Sequence, residues 1–291
     1  MKVWQVYRDV LVRNGIMQFG TEDGGGSTTV FTDSTLSLTT NGLAGGSLFV
    51  LTDAGGANAA PEGEVGRIAS NTSTTITLTS ALTTALADGD VVGWTTKEYK
   101  YESLLYMMNV ALKDIGRIGI QDTSITTANS QTEYTLPTAI KQGEIRGVYI
   151  QLQTSDANDN RWWAIRDWRI IPATAGNTAT LVLDQFSSGY NILIEYIGIH
   201  PDITAFSDSV HESIHPELAR SALQYIMATR RAEQAIGTQK GFNQLYNKAA
   251  SEYEAAKKAY PVWLPKLVNR HIVLKQPIRE YQESTVGTVK L

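Results

Sequence analysis

A chain of 291 residues is long enough for one large domain or two modest ones, and 42% hydrophobic residues suffice for a buried core. Acidic residues number 29 against 25 basic ones, giving a net charge of −4 with no dominant Lys/Arg cluster; this excludes a protein that holds nucleic acid mainly through its phosphates. The lack of cysteine excludes a disulfide framework and any thiolate metal site.

In chain order, Met1–Asp9 is interrupted by Lys2, Arg8 and Asp9 and lacks the apolar centre of a secretion signal. No apolar run reaches the roughly 20 residues that a membrane span needs, so no membrane partner is expected. Val3, Val6, Tyr7, Val10 and Leu11 recur at helical spacing over residues 3–13, and Asn14-Gly15 supplies a stop. Residues 16–96 are rich in Gly, Thr, Ser and Ala. Between glycine breakers, Ser47–Thr52, Thr75–Thr79 and Asp90–Trp94 alternate with period two, the pattern of a small antiparallel barrel or sandwich. Glu22, Asp23, Asp33, Asp53, Glu62, Glu64, Asp88 and Asp90 face a single base there, Arg67, so this module is acidic.

Helical spacing returns over 97–116, where Tyr101, Leu104, Leu105, Met108, Leu112 and Ile115 form a stripe that Gly116 ends. Met107, Val110 and Ala111 widen the apolar surface, which predicts burial on more than one side. Residues 130–199 read as a β-meander with strands at Thr132–Pro137, Gly147–Leu152, Trp162–Ile171, Thr180–Leu183 and Tyr190–Ile199. Turns fall at Asp156–Asn160 and Gly176-Asn177. Pro216 with Glu217 opens a helix carrying Leu218, Ala222, Tyr225, Ile226 and Thr229, and Gly237 terminates it. A further helix carries Phe242, Leu245, Tyr246, Ala249, Tyr253 and Ala256 and stops at Pro261. Beyond it, Pro261, Pro265 and Pro277 break any period, and apolar residues alternate with Lys266, Arg270, Lys275, Arg279 and Lys290 against Glu280 and Glu283. Such a segment does not fold alone and reads as an extended arm ordered on a partner.

The expected fold is therefore α+β: a helical bundle core interrupted by two antiparallel β modules, with an extended C-terminal arm. The divisions are 1–15 (N-terminal helix of the core), 16–96 (acidic β-barrel-like insertion), 97–129 (core helix and connection), 130–200 (β-meander insertion), 201–260 (helical pair) and 261–291 (partner-binding arm).

One stretch matches a catalytic motif. His211-Glu212-Ser213-Ile214-His215 fits H-E-x-x-H, in which two imidazoles on one helical face bind zinc and the Glu acts as base, with Glu233 available as a third ligand. Pro216 argues against it. The residue before proline is pushed out of the α region, so His215 is expected to cap the next helix and the i, i+4 geometry to fail. A zinc metalloprotease is thus a remote alternative, and no metal, cofactor or catalytic residue is expected. No phosphate-binding loop or serine nucleophile elbow is present. His200, before Pro201, reads as a turn residue. Trp162, Trp163 and Trp168 interleave with Arg161, Arg166 and Arg169, which could stack on nucleic-acid bases. Strand alternation instead puts Trp162 and Ala164 inward and Trp163 and Arg166 on the other side, as core plus subunit interface.

Several of these segments together resemble adaptor proteins of the bacteriophage head-to-tail connector. They are the helix Tyr101-Glu102-Ser103-Leu104-Leu105 through Asn109 to Gly116, then Glu133-Tyr134-Thr135-Leu136-Pro137, Arg146–Ile150 and Arg161–Ile170. Tyr196–Pro201 follows, leading to Ile214-His215-Pro216-Glu217-Leu218. The resemblance covers about residues 97–260; the acidic module departs from it. It implies a non-enzymatic virion protein at the head-to-tail junction, in a ring of commonly twelve copies beneath the portal protein. The ring would contact the next neck or tail component below and let double-stranded DNA pass without sequence-specific binding. Ring contacts would come from Tyr101, Leu105, Met108, Leu112, Tyr225, Tyr246 and Tyr253. The portal-binding arm would use Trp263, Leu264, Arg270, His271, Ile272, Val273, Leu274, Pro277, Ile278, Arg279 and Tyr281. An acidic lumen would repel the DNA backbone. The rival readings are another neck or tail ring (stopper, terminator or nozzle) and a carbohydrate-binding host-recognition protein built on the 16–96 module.

Overall fold

The computed structural model describes residues 1–56, 59–140, 144–151, 161–173, 178–234 and 240–267, with backbone only at Gln234 and 240–243. Among them are four helices and thirteen strands, the strands lying in antiparallel sheets. The molecule is mostly β, which corrects the expected helical bundle core. The helices form where their apolar spacing puts them, but they do not constitute the centre of the fold. Many strands are three or four residues long, too short for alternation to register against the louder period of a helix. One ten-residue strand, Arg117–Thr126, occupies the stretch read as a connection.

Two compact units divide the chain. The first comprises Met1–Ile118 with Ile199–Leu264, and the second contains Gly119–Gly198.

In the first unit, α1 (Val3–Arg13), α2 (Tyr101–Ile115) and α4 (Lys240–Ala259) all pack against α3 (Pro216–Gln234). The stripe of α1 buries Val3, Val6, Tyr7, Val10 and Leu11, and Tyr7 donates its hydroxyl hydrogen bond to the Leu104 carbonyl of α2. Burial pushes the Tyr7 phenol well above its ordinary range. The same unit holds a curled six-stranded half-barrel of β1 (Gln18–Thr21), β2 (Val30–Thr32), β3 (Ser47–Thr52), β4 (Val65–Asn71), β5 (Thr75–Leu78) and β6 (Val91–Trp94). Their order is β1-β6-β3-β4-β5-β2. Phe31, Leu48, Val50, Ile68, Ile76, Val92 and Trp94 fill its interior.

Carboxylates tie this sheet's outer strands. Thr32 donates its N–H to Glu22 Oε2 (2.9 Å) and Thr21 donates to Asp33 Oδ2 (3.1 Å), beside one backbone bond from Asp23 N–H to the Thr32 carbonyl (3.0 Å). Buried Asp90 accepts from the N–H groups of Ala54 (2.7 Å) and Ala87 (2.8 Å). These acids stand in for ladder partners that short, curled strands cannot supply.

The second unit contains β7 (Arg117–Thr126, whose first two residues belong to the first unit), β8 (Glu133–Thr135), β9 (Ile145–Gln151), β10 (Trp162–Ala164), β11 (Arg169–Ile171), β12 (Thr180–Val182) and β13 (Asn191–Ile199). Four of them order as β10-β9-β13-β7 and three as β11-β12-β8. Tyr134, Val148, Ile150, Trp168, Leu181, Ile192 and Ile194 share one core. Tyr149 donates its hydroxyl to Glu195 Oε2 (3.0 Å). Burial, and then that carboxylate, push its phenol up to about 12. The turns read at Asp156–Asn160 and Gly176-Asn177, and the stop at Gly237, lie outside the described residues.

Candidate functional site

The H-E-x-x-H stretch does not form a helical face. Residues 211–215 precede α3, which begins at Pro216. Each nearby imidazole is used by the backbone. His200, buried, donates its Nδ1–H to the Pro201 carbonyl at 2.6 Å, which places the proton on Nδ1. Its Nε2 then accepts the His211 N–H (2.9 Å). His211 Nδ1 accepts from Ser213 N–H (3.2 Å), and His215 Nδ1 accepts from Glu217 N–H (3.2 Å), capping α3 in the way a side-chain oxygen caps other helices. The His215 ring stacks on Tyr260, with centroids 4.0 Å apart. Burial, and then the neighbouring His211, lower the proton affinity of His200. Burial likewise lowers that of His211, against the opposing charge of Glu212. Among the described residues no group of three His, Asp or Glu side chains could hold a metal ion. Glu233 lies in a different place, on the groove between α2 and α3.

A hollow of about 350 Å³ lies beside the two histidines and includes Asp202 and Asp208. Both carboxylates have partners. Asp202 meets Lys113 Nζ at 2.8 Å, and Asp208 Oδ2 accepts from the N–H groups of Thr204 (2.8 Å) and Ala205 (2.9 Å). Those backbone bonds hold the Asp208 carboxyl below the usual range. These groups organise the approach to α3.

The residues expected to join copies divide in two. Met108, Leu112 and Tyr253 are buried inside the subunit and are spent there. Tyr101, Leu105, Tyr225 and Tyr246 are half-buried. Tyr225 and Tyr246 meet each other, with hydroxyls 3.4 Å apart, while the Tyr225 ring stacks on Tyr253 at 5.4 Å. Tyr106, outside the predicted stripe, is 67% exposed on α2. With Met107, Val110, Ile226 and Arg230 it lines a groove of about 500 Å³ between α2 and α3. Its signal in the sequence was its place two residues before Met108: an aromatic on the polar side of an amphipathic helix. A second hollow, about 390 Å³, is walled by Trp4, Tyr101 and Phe206. Gly63 closes over Trp4 there. A Cβ on Gly63 would lie 2.5 Å from Trp4 Nε1, and its φ of +85° favours glycine.

After α4, Trp263 and Leu264 are 43% and 48% exposed. The other predicted arm residues, Arg270, His271, Ile272, Val273, Leu274, Pro277, Ile278, Arg279 and Tyr281, lie outside the described residues.

In the tryptophan cluster Trp162 is half-buried and Trp163 is 66% exposed, whereas Ala164, read as inward, is exposed. In register Trp163 stands opposite core residue Ile150. Trp168 is in the core. No protein-family model matches the sequence, and no curated protein is significantly similar to it.

Proposed function

We propose that this chain is a structural subunit of the head-to-tail connector of a tailed bacteriophage. It would form an adaptor ring of about twelve copies beneath the portal, the copy number taken from the family it resembles. The ring joins head to tail and lets double-stranded DNA pass, and the next neck or tail component lies below it. The observation that carries the reading is the end of α4. There Pro261 releases a chain whose next large apolar residues, Trp263 and Leu264, stand in solvent, and the sequence continues as alternating apolar and basic residues to Tyr281. Tryptophan and leucine left exposed beside Lys266 have the chemistry of a segment that a partner covers.

Removal of residues 262–291 tests this. The truncated subunit should melt as the intact one does, yet lose attachment to the portal protein of the same phage in a pull-down. Attachment as tight as that of the intact chain would refute the arm assignment. Binding to the tail tube in place of the portal would make the protein a stopper, terminator or nozzle.

A further inference from the structure

We infer that His200 is a proton-operated latch. Its neutral ring holds Ser209–His211 across the N-terminus of the chain, and protonation lets that segment go while the rest of the unit stays folded. The inference does not depend on the proposed ring.

The chain between β13 and α3 passes over the start of α1. Val210 donates its N–H to the Met1 carbonyl (2.9 Å), Lys2 and Ser209 form an antiparallel bridge, and Trp4 donates its N–H to the Phe206 carbonyl (3.1 Å). The earlier part of this crossing is fixed by groups that do not change charge near neutral pH. Asn109 of α2 accepts the Ile203 N–H on Oδ1 (2.7 Å) and returns a bond from Nδ2 to the Ile203 carbonyl (2.8 Å). The Asp208 carboxylate knits the turn through Thr204 and Ala205. The Phe206 ring is buried against Tyr7, Phe49 and Tyr101. Past Asp208 the hold passes to His200, whose Nε2 accepts the His211 N–H (2.9 Å).

That bond requires an unprotonated Nε2. Nδ1 keeps its proton on the Pro201 carbonyl, so a second proton goes to Nε2 and turns the acceptor into a donor that faces another N–H. His200 is 3% exposed, so the charged ring has no water around it until the segment moves. Its charged neighbours do not offset that cost. Asp202 favours the proton but is paired with Lys113 of α2 at 2.8 Å. The His211 ring, its centroid 6.4 Å away, opposes the proton, and Glu212 acts on His211. Asp208 is bonded to the backbone and lies in the field of Lys2. The protonated ring is therefore accommodated by opening, and the hollow of about 350 Å³ beside the two histidines gives it a short way to water. Opening is thus linked to proton uptake: the segment is held tightly above the ordinary histidine value of 6.5 and more loosely below it.

The test is amide hydrogen exchange of the full chain by NMR at pH 7.5 and 5.5, each rate divided by its intrinsic value at that pH. The Val210 and His211 amides should exchange faster than those of buried Ala222 and Leu223 in α3 at both pH values, which marks an opening smaller than unfolding. Between pH 7.5 and 5.5 their protection should fall severalfold, up to about tenfold, the ceiling for one group studied one unit below its ordinary 6.5. His200→Gln carries a side-chain oxygen that accepts at either pH and should abolish this fall. His211→Asn keeps the backbone N–H and an acceptor for Ser213, and should preserve it. Protection in the parent that does not change with pH would overturn the inference. So would protection equal to that of α3, since the segment would then leave only with the whole unit. A fall that survives in His200→Gln, or vanishes in His211→Asn, would assign the proton to another group and overturn it as well.

Discussion

Asp33 carries a charge that the chain uses internally. Burial acts to raise its carboxyl, but bonds from the Thr35 hydroxyl and from the N–H groups of Thr21 and Thr35 outweigh burial and hold it below the usual range. Glu22 and Asp90 are buried in the same role, and Asp23 and Glu64 accept from Ser34 and Thr83 near the surface. The acidity of residues 16–96 thus reflects the needs of tight turns as well as any field offered to DNA. Asp33→Ala strips acceptors from two backbone N–H groups. It should cost about 1 kcal/mol in equilibrium denaturation, the net worth of part-buried hydrogen bonds whose donors water can reach. A loss below a few tenths would mean that water replaces the carboxylate without cost.

At the scale of the element, α2 shows how one helix serves two purposes. Met108 is fully buried against the rest of its unit, whereas Tyr106 projects into the groove beside α3. Met108→Ala should destabilise by about 2–5 kcal/mol through the cavity it leaves. Tyr106→Ser should change stability by no more than about 0.5 kcal/mol. Chemical denaturation of the two variants under one condition checks the contrast, and comparable losses would place Tyr106 in the core. The α3 start is equally legible: Pro216 excludes His215 from a preceding helix, and the Nδ1 cap on Glu217 N–H follows from that geometry.

For the whole molecule the groups that titrate on the acid side act in one direction. His200 is favoured as the neutral ring on folding, so its contribution is full above the ordinary histidine value of 6.5 and is lost as pH falls through the lower folded value. Asp33 and Asp208 have depressed carboxyls. Their contribution is full above 3.8 and disappears below it. Stability should therefore decline in two stages on acidification, the first below about pH 6.5 and the second below about pH 3.8. His200→Gln should be less stable than the parent at pH 7.5, with the gap between the two melting curves narrowing as pH falls below about 6.5. A gap that stayed constant would mean that His200 titrates alike in the folded and unfolded chain.

The four helices could be read from local order, because a helix closes its hydrogen bonds within four residues and its buried stripe recurs in every turn. Tyr101–Ile115 and Lys240–Ala259 declare themselves through that spacing alone. Strand partnership could not be read this way. Whether Gln18–Thr21 lies beside Val91–Trp94, and whether Arg117–Thr126 is a connection or an edge, depends on residues far apart in the chain. The same distance hid the inward use of Glu22 and Asp33. Burial and backbone pairing are properties of the assembled sheets, and a three-residue strand has too little pattern of its own to announce either.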